Sequence, residues 1–250
     1  MSISAPMIVL FTDFGADGPY VGQMKAVLAQ HAPDAPVIDL LHTAPRFDVR
    51  ASAHLLAAYV SAFPLGSIFL GVVDPGVGNA QRRPVVMKIA QHWFVGPDNG
   101  LFQVLAARAA ERQAEIECWE INWRPENLSN TFHGRDVFAP VAARLARGEL
   151  PPGTLFDCAV STVAANDLPE LIYIDHFGNA VTGLRAHWLD KSAQLQIGKN
   201  CFTAARTFSD VAIGQAFWYE NANGLVEIAA NQASAAATLN LQLGDQVVIV

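Results

Sequence analysis

Short apolar runs alternate with helical patterns over the first part of the chain. Met7 to Phe11 is an unbroken apolar run ending at Thr12-Asp13, the pattern of a strand buried on both faces. From Pro19 to Gln30 the apolar residues Val21, Met24, Val27 and Leu28 recur at helical spacing, and a proline in the first turn marks where the helix begins. Val37 to Leu41 predicts a second strand, Val49 to Phe63 a helix, and Ile68 to Val73 a third strand. Val85 to Ile89 and Trp93 to Val95 predict two more, before a turn at Pro97-Asp98-Asn99-Gly100 and a helix over Leu101 to Arg112. Repeated β-α steps imply a largely parallel sheet covered on both faces, a three-layer α/β/α domain.

The texture changes after Arg144-Leu145-Ala146-Arg147-Gly148, where Pro151-Pro152-Gly153 breaks a helix. From Leu171 onward the patterns are short and punctuated: Leu171 to Ile174, Ala180 to Leu184, Gln194 to Ile197, Ala216 to Tyr219, Leu225 to Ala229 and Gln246 to Val250. This predicts an all-β domain, a small barrel or sandwich. The expected organisation is an α/β domain over residues 1–150, a linker over 151–167 and a barrel-like β domain over 168–250.

With 250 residues, 52% apolar and 16% charged, the chain can bury one large core or two modest ones. A net charge of −7 leaves no basic stripe for a phosphate backbone, so a small molecule is expected as partner rather than nucleic acid. Residues 51–73 carry no formal charge, but His54, Pro64 and Gly66 interrupt them, so no membrane span is expected. Met1 to Pro6 lacks the basic region and cleavage site of a secretory signal, which predicts that the mature protein starts here. Cys118, Cys158 and Cys201 are odd in number and widely spaced, without a CxxC pair, and read as reduced thiols in a cytoplasmic protein. No two histidines stand at metal-ligand spacing, and neither metal nor cofactor is expected. The GxGxxG, GxxxxGK[ST], GxSxG and HExxH signatures are also absent.

The chemistry concentrates at the end of the third strand. Val72-Val73-Asp74-Pro75-Gly76-Val77-Gly78 carries an aspartate to a strand's carboxyl end and breaks there, which is where open α/β sheets bind ligands. Arg82-Arg83 follows closely, and Phe132-His133-Gly134-Arg135-Asp136 lies further on. An acid, a guanidinium and an imidazole could meet over one ligand and activate water without a metal. Singly, each has a plainer reading: Asp74 as a turn residue, His133 as a capping histidine, the arginines as a solvated patch. Asp13 and Asp175 each end a predicted strand. Each could accept both hydroxyls of a ribose diol, or could serve as a helix cap and a turn residue respectively.

Taken in order, Thr12-Asp13-Phe14-Gly15, Pro19 to Lys25, Asp74 to Gly78, Gly96 to Gly100, Phe132 to Asp136 and Ile174-Asp175-His176-Phe177-Gly178-Asn179 resemble the adenosine-forming S-adenosyl-L-methionine (SAM) hydrolases, relatives of the fluorinases and chlorinases. The resemblance runs from about Ile8 to Val250. It implies hydrolysis of SAM to adenosine and L-methionine by water attack at ribose C5′. It also implies a homotrimer whose active sites lie between the amino-terminal domain of one subunit and the β domain of the next. On this resemblance Asp74, Arg82 and His133 are catalytic, with Arg83 a competing assignment for the arginine because Asn79-Ala80-Gln81 runs one residue longer than usual. Asp13 belongs at the ribose hydroxyls. Asp175, Phe177, Asn179 and Asn231 come from the β domain, with Asn179 near the adenine. Phe47 falls where the halogenating relatives carry a tryptophan, and its ring would favour a sulfonium, unless it is an ordinary core phenylalanine. A halide transferase of the same fold and a non-catalytic adenosine or SAM-binding module are the alternatives.

Overall fold

The structure, a computed structural model, describes residues 6–79 and 81–250. Met1 to Ala5, most of the stretch expected as the mature start, and Ala80 lie outside the described residues. The chain divides into two compact units, one of residues up to Ala53 together with Phe63–Ala165, the other of His54–Ala62 with Asn166–Val250.

The first unit is built on a seven-stranded sheet. Its strands are β1 (Ile8–Thr12), β2 (Val37–Leu41), β3 (Ile68–Val72), β4 (Pro84–Ile89), β5 (His92–Pro97), β6 (Ile116–Ile121) and β7 (Gly153–Phe156), in the order β2-β1-β3-β5-β4-β6-β7. β2, β1, β3 and β5 pair in parallel, whereas β4 pairs antiparallel with both β5 and β6, and β7 runs antiparallel to β6. Every residue of β1 and β3 is buried, so their unbroken apolar runs reflect cover on both faces. Helices α1 (Pro19–His31) and α4 (Ala139–Ala146) cover one face, where Met24, Leu28, Val141 and Leu145 meet Ile8, Leu10, Ile68 and Leu70. On the other face Phe102, which opens α3 (Gln103–Glu111), packs on Phe94, itself stacked on Phe69 at 5.2 Å. A further helix, α2 (Val49–Tyr59), begins in this unit and belongs from His54 to the second; it ends in a short 3-10 turn at Val60–Ala62, within the span predicted as one helix.

Residues 151–167, expected as a linker, contribute β7 to the large sheet and a 3-10 turn at Thr162–Ala165. This strand accounts for a correction. Cys118 lies opposite Phe156 in the β6–β7 ladder, which brings Cys158, two residues on, to a Cα–Cα distance of 5.9 Å from Cys118, and the two form a disulfide. The reading of all three cysteines as reduced thiols is therefore replaced; Cys201 alone is free. Thiol titration of denatured protein without reductant should find one reactive thiol, and three after reduction. Closing 40 residues, the bond should contribute about 2–4 kcal/mol to stability, lost when reductant is added to a denaturation series.

The second unit contains two antiparallel sheets. One comprises β8 (Leu168–Ile174), β9 (Ala180–Arg185), β12 (Ala216–Glu220) and β13 (Leu225–Ala230) in the order β12-β13-β9-β8. The other comprises β10 (Leu195–Ile197), β11 (Asn200–Phe202) and β14 (Val248–Ile249) in the order β11-β10-β14. The expected barrel is thus corrected to two open sheets: strands of two or three residues in the smaller sheet are too short to close a ring with the larger. Both sheets share a core that includes Leu184, Leu195, Phe202, Trp218 and Ile228, with helix α5 (Ala235–Leu239) packed at its side. The one buried carboxylate there, Glu227, accepts hydrogen bonds from the Tyr219 hydroxyl (2.6 Å) and the Asn221 amide (2.9 Å), so its burial is compensated. Among the described residues no helix is long and apolar enough to cross a membrane.

Candidate active site

β1 is flanked by β2 on one side and β3 on the other, so the chain reverses its winding direction beside β1. In open α/β sheets a crevice opens at such a point, outside the carboxyl ends of the strands. Thr12 is in register with Val72, and the next residues of the two strands lead to Asp13 and Asp74. The loop carrying Asp13 is stitched to residues 42–47: the Gly15 N–H donates to the His42 carbonyl (2.7 Å), the Ala44 N–H to the Thr12 carbonyl (3.1 Å), and the Phe47 N–H to Asp13 Oδ2 (3.2 Å).

Asp74 is both a turn residue and an ion-pair partner. Its Oδ1 accepts the Gly76 N–H at 3.0 Å and also pairs with Arg82 Nη1. Successive turn bonds, Asn79 N–H to the Gly76 carbonyl and Arg82 N–H to the Asn79 carbonyl, carry the chain back so that Arg82 reaches Asp74. A side chain at Gly76 would crowd the Arg82 guanidinium, its Cβ lying 2.7 Å from Nη1. Arg83 pairs with a different carboxylate, donating to Asp98 Oδ2 through Nε (3.1 Å) and Nη2 (2.7 Å) and stacking over Phe156.

His133 stands immediately before a single π-helical turn, Gly134–Phe138, a form that recurs at functional sites. Arg135 braces that turn, clamping Asp136 through Nε (2.6 Å) and Nη2 (3.1 Å) while its Nη1 donates to Gln23. Burial alone would raise the Asp136 pKa, yet the bonds from Arg135 and from the Ser129 N–H hold it below the ordinary carboxylate range.

These residues surround two hollows. The larger, about 540 Å³, is lined by Asp13, Phe47, Asp74 and His133, and by an aromatic group that sequence reasoning did not single out: Phe14, Tyr20 and Phe132, with ring centroids 5.1–6.0 Å apart. The smaller, about 140 Å³, is lined by Asp74, Arg82 and His133 together. The structure thus gathers the acid, the guanidinium and the imidazole around one space and lets Asp74 and His133 face both. Burial raises the pKa of Asp13, assisted by the neighbouring charge of Asp74 and opposed by the Phe47 N–H. Phe47 is 74% exposed, not a core residue, and its φ of 60° is a rare, strained setting for a bulky side chain.

In the second unit, Phe177 and Asn179 border another hollow, about 510 Å³, together with Phe208 and Ser234. Asp175 and Asn231 are not among its lining. Asp175 Oδ1 accepts the N–H groups of Phe177 (2.9 Å) and Asn179 (2.8 Å), and its Oδ2 accepts from the Asn179 amide (3.0 Å), so its carboxylate organises the loop that presents Phe177. Within that loop Gly178, at φ +83°, has no room for a Cβ against Ser234. Asn231 donates its amide to the Val211 carbonyl at 2.8 Å. Among the described residues no three His, Cys, Asp or Glu side chains converge as a metal set does.

The chain matches the SAM hydroxide adenosyltransferase N-terminal domain over residues 8–155 and the C-terminal domain of the same name over residues 169–248. It is 38% identical to the (R)-S-adenosyl-L-methionine hydrolase of Thermus thermophilus, across 95% of this chain and 96% of that one, and 38% identical to that of Salinispora arenicola, across 97% of each. A fluorinase from Nocardia brasiliensis is more distant, at 26%. The crystal structure of an uncharacterized conserved protein from Thermotoga maritima superposes with a TM-score of 0.86 at 33% identity, covering 98% of this chain and all of the other. With both domains present in order and end-to-end relatives well above 30% identity, the chain belongs to the SAM hydroxide adenosyltransferase family.

Proposed function

We propose that this protein is a SAM hydrolase, which splits SAM into adenosine and L-methionine by attack of water on ribose C5′. A sulfonium departs without protonation, so the task left to the protein is to deprotonate a water molecule and aim it. In the reaction the C5′–O bond forms as the C5′–S bond breaks, the electron pair returns to sulfur, and the water's proton passes to the Asp74–His133 side of the site. Arg82 supplies fixed charge beside the developing hydroxide. The observation that carries the reading is that Asp74, Arg82 and His133 border one small space, two of them also facing a larger cavity rich in aromatic rings. Those rings suit a sulfonium through cation–π attraction of about 0.5–2 kcal/mol, and Phe47, exposed and held by its own N–H to Asp13, is the ring assigned to it.

Asp13 takes the ribose hydroxyls. Phe177 and Asn179 receive the nucleobase end, Asp175 holds their loop in shape, and Asn231 supports the same region. In this reading residues 1–150 provide the nucleophile site and residues 168–250 the nucleobase site, joined by 151–167. The two meet across subunits of a homotrimer, each active site shared between neighbours. The substrate puts the enzyme in the cytoplasm, the compartment that holds SAM.

Incubation with SAM in halide-free buffer tests the reading directly. Adenosine and methionine should accumulate, with label from ¹⁸O-water in the 5′ hydroxyl. Bound but unconverted SAM would make the protein a sequestering module, and a product formed only on addition of halide would make it a halide transferase. The raised pKa of Asp13 adds a pH dependence. Its ionised form is the acceptor for two hydroxyls, so the KM for SAM should climb as pH falls through that pKa and stay level above it. The acid limb then lies at a higher pH than an ordinary aspartate would place it. Asp13→Asn should abolish that limb and raise KM by roughly 10- to 100-fold, the worth of one charge-assisted hydrogen bond.

A further inference from the structure

The two hollows share Asp74, His133 and Phe138 but differ in the rest of their walls. The larger has the aromatic rings. The smaller is basic: besides Arg82 it is bordered by Arg83 and Arg124, with Asn79 and Pro97 completing part of the wall. Arg82 is balanced by Asp74 and Arg83 by Asp98. Arg124 has no carboxylate partner among the described residues; its Nη1 donates only to the Ile121 (2.5 Å) and Trp123 (2.8 Å) carbonyls. The space therefore carries an excess positive charge and, apart from Phe138 and the His133 imidazole that it shares with the larger hollow, has no aromatic ring in its wall.

We propose that this smaller hollow is a solvent chamber, through which the nucleophilic water reaches the Asp74–Arg82–His133 group from the side away from SAM. The inference rests on the hydrolase reading. In-line displacement places the attacking oxygen and the departing sulfur on opposite sides of C5′. Once SAM fills the larger cavity, the water side is the side bordered by the trio, and the space that adjoins it there is the arginine-walled one. At about 30 Å³ of liquid volume per molecule, 140 Å³ accommodates several waters. The uncompensated Arg124 draws their oxygens toward its own side of the wall and favours partial hydroxide character in the chamber. Arg124 is thus a positioning residue, acting through solvent, and the bore of the chamber limits which nucleophiles reach C5′.

The experiment uses the full chain, wild type and two variants. Asn79→Phe should obstruct the chamber, lowering kcat about tenfold or more while KM and the calorimetric affinity for SAM stay unchanged. Arg124→Ala should widen it. In buffer containing ethanol, the alcohol oxygen then bonds to C5′, its proton passes to the Asp74–His133 side, methionine leaves as before, and 5′-O-ethyladenosine forms. The ether-to-adenosine ratio should rise at least about fivefold over wild type. A defect in packing alone would lower all products together and leave that ratio fixed, and Arg124→Ala keeps the test decisive if Asn79→Phe does not fold. Folded, SAM-binding variants with wild-type kcat and wild-type product ratio would overturn the chamber while leaving the hydrolase reading intact. Failure of the wild-type protein to form adenosine would instead overturn the hydrolase reading itself.

Discussion

Replacing Asp74 by asparagine, or His133 by alanine, is expected to lower kcat for SAM hydrolysis by about 10²- to 10⁴-fold, the range assigned to one positioned acid or base. The amide oxygen of the substituted asparagine can still accept the Gly76 N–H, so the turn that returns Arg82 to the site survives. What is lost is the negative charge that balances Arg82 and draws a proton from water. Asp74 lines the cavity but its other ties are to the protein, so KM should move far less than kcat. Single-turnover measurements with isothermal calorimetry separate the two quantities, and a loss confined to SAM affinity would make Asp74 a binding group. The double variant should be little worse than either single one, because residues that act as a unit in one proton transfer are strongly non-additive.

A large loss of stability is expected from Gly96→Ala. Gly96 sits on β5 beside Gly71 of β3, and a Cβ there would drive into the Gly71 backbone carbonyl and reach within 3.0 Å of the Phe102 ring. Backbone held between two strands, β3 on one side and β4 on the other, cannot yield as a side-chain tip can. The strands must separate or the ring must leave its packing on Phe94, at a cost on the order of 3 kcal/mol or more. Urea denaturation of wild type and variant measures this, with an unchanged m-value showing that the loss is in the native state. Gly22→Ala, in an exposed position inside α1 where a Cβ meets nothing within 4 Å, serves as the control and should stabilise by up to about 1 kcal/mol. The same crowding gives a physical reason for the glycine that opens the Gly96-Pro97-Asp98-Asn99-Gly100 segment. That segment also reaches the strand that leads to Asp74, since the Asn99 amide donates to the Val73 carbonyl at 2.7 Å, one residue before Asp74.

The elements whose side chains all share one environment were the ones legible from residue pattern. β1 and β3 read as continuous apolar runs because both their faces are covered, and Thr12-Asp13 and the Pro/Gly turn after Val73 marked their ends. β6 escaped notice because Glu117 and Glu120 interrupt a strand near the sheet's margin, and β7 because four residues after Pro151-Pro152 look like a loop. The disulfide went with them, since the proximity of Cys118 and Cys158 follows only from that missed pairing. In the candidate site the ionisable residues stood out by type and by position at strand ends. Phe14, Tyr20 and Phe132 did not, because aromatics near a glycine turn are indistinguishable in sequence from core residues. The π-helical turn after His133 was not legible either; of the bonds that brace it, the one from Arg135 to Gln23 spans 112 residues and cannot be read locally.

Asp13 and Asp74 follow closely on the last paired residues of two adjacent strands, Thr12 and Val72, so the spacing between the group assigned to the sugar and the group assigned to the nucleophile is set by neighbouring strand ends rather than by the longer loops around them. Lengthening the surface segments after Gly76 or ahead of Thr131 would leave that gauge untouched. Sliding either strand by one residue would move its carboxylate about 3.3 Å along the strand and change the spacing of the pair in a single step.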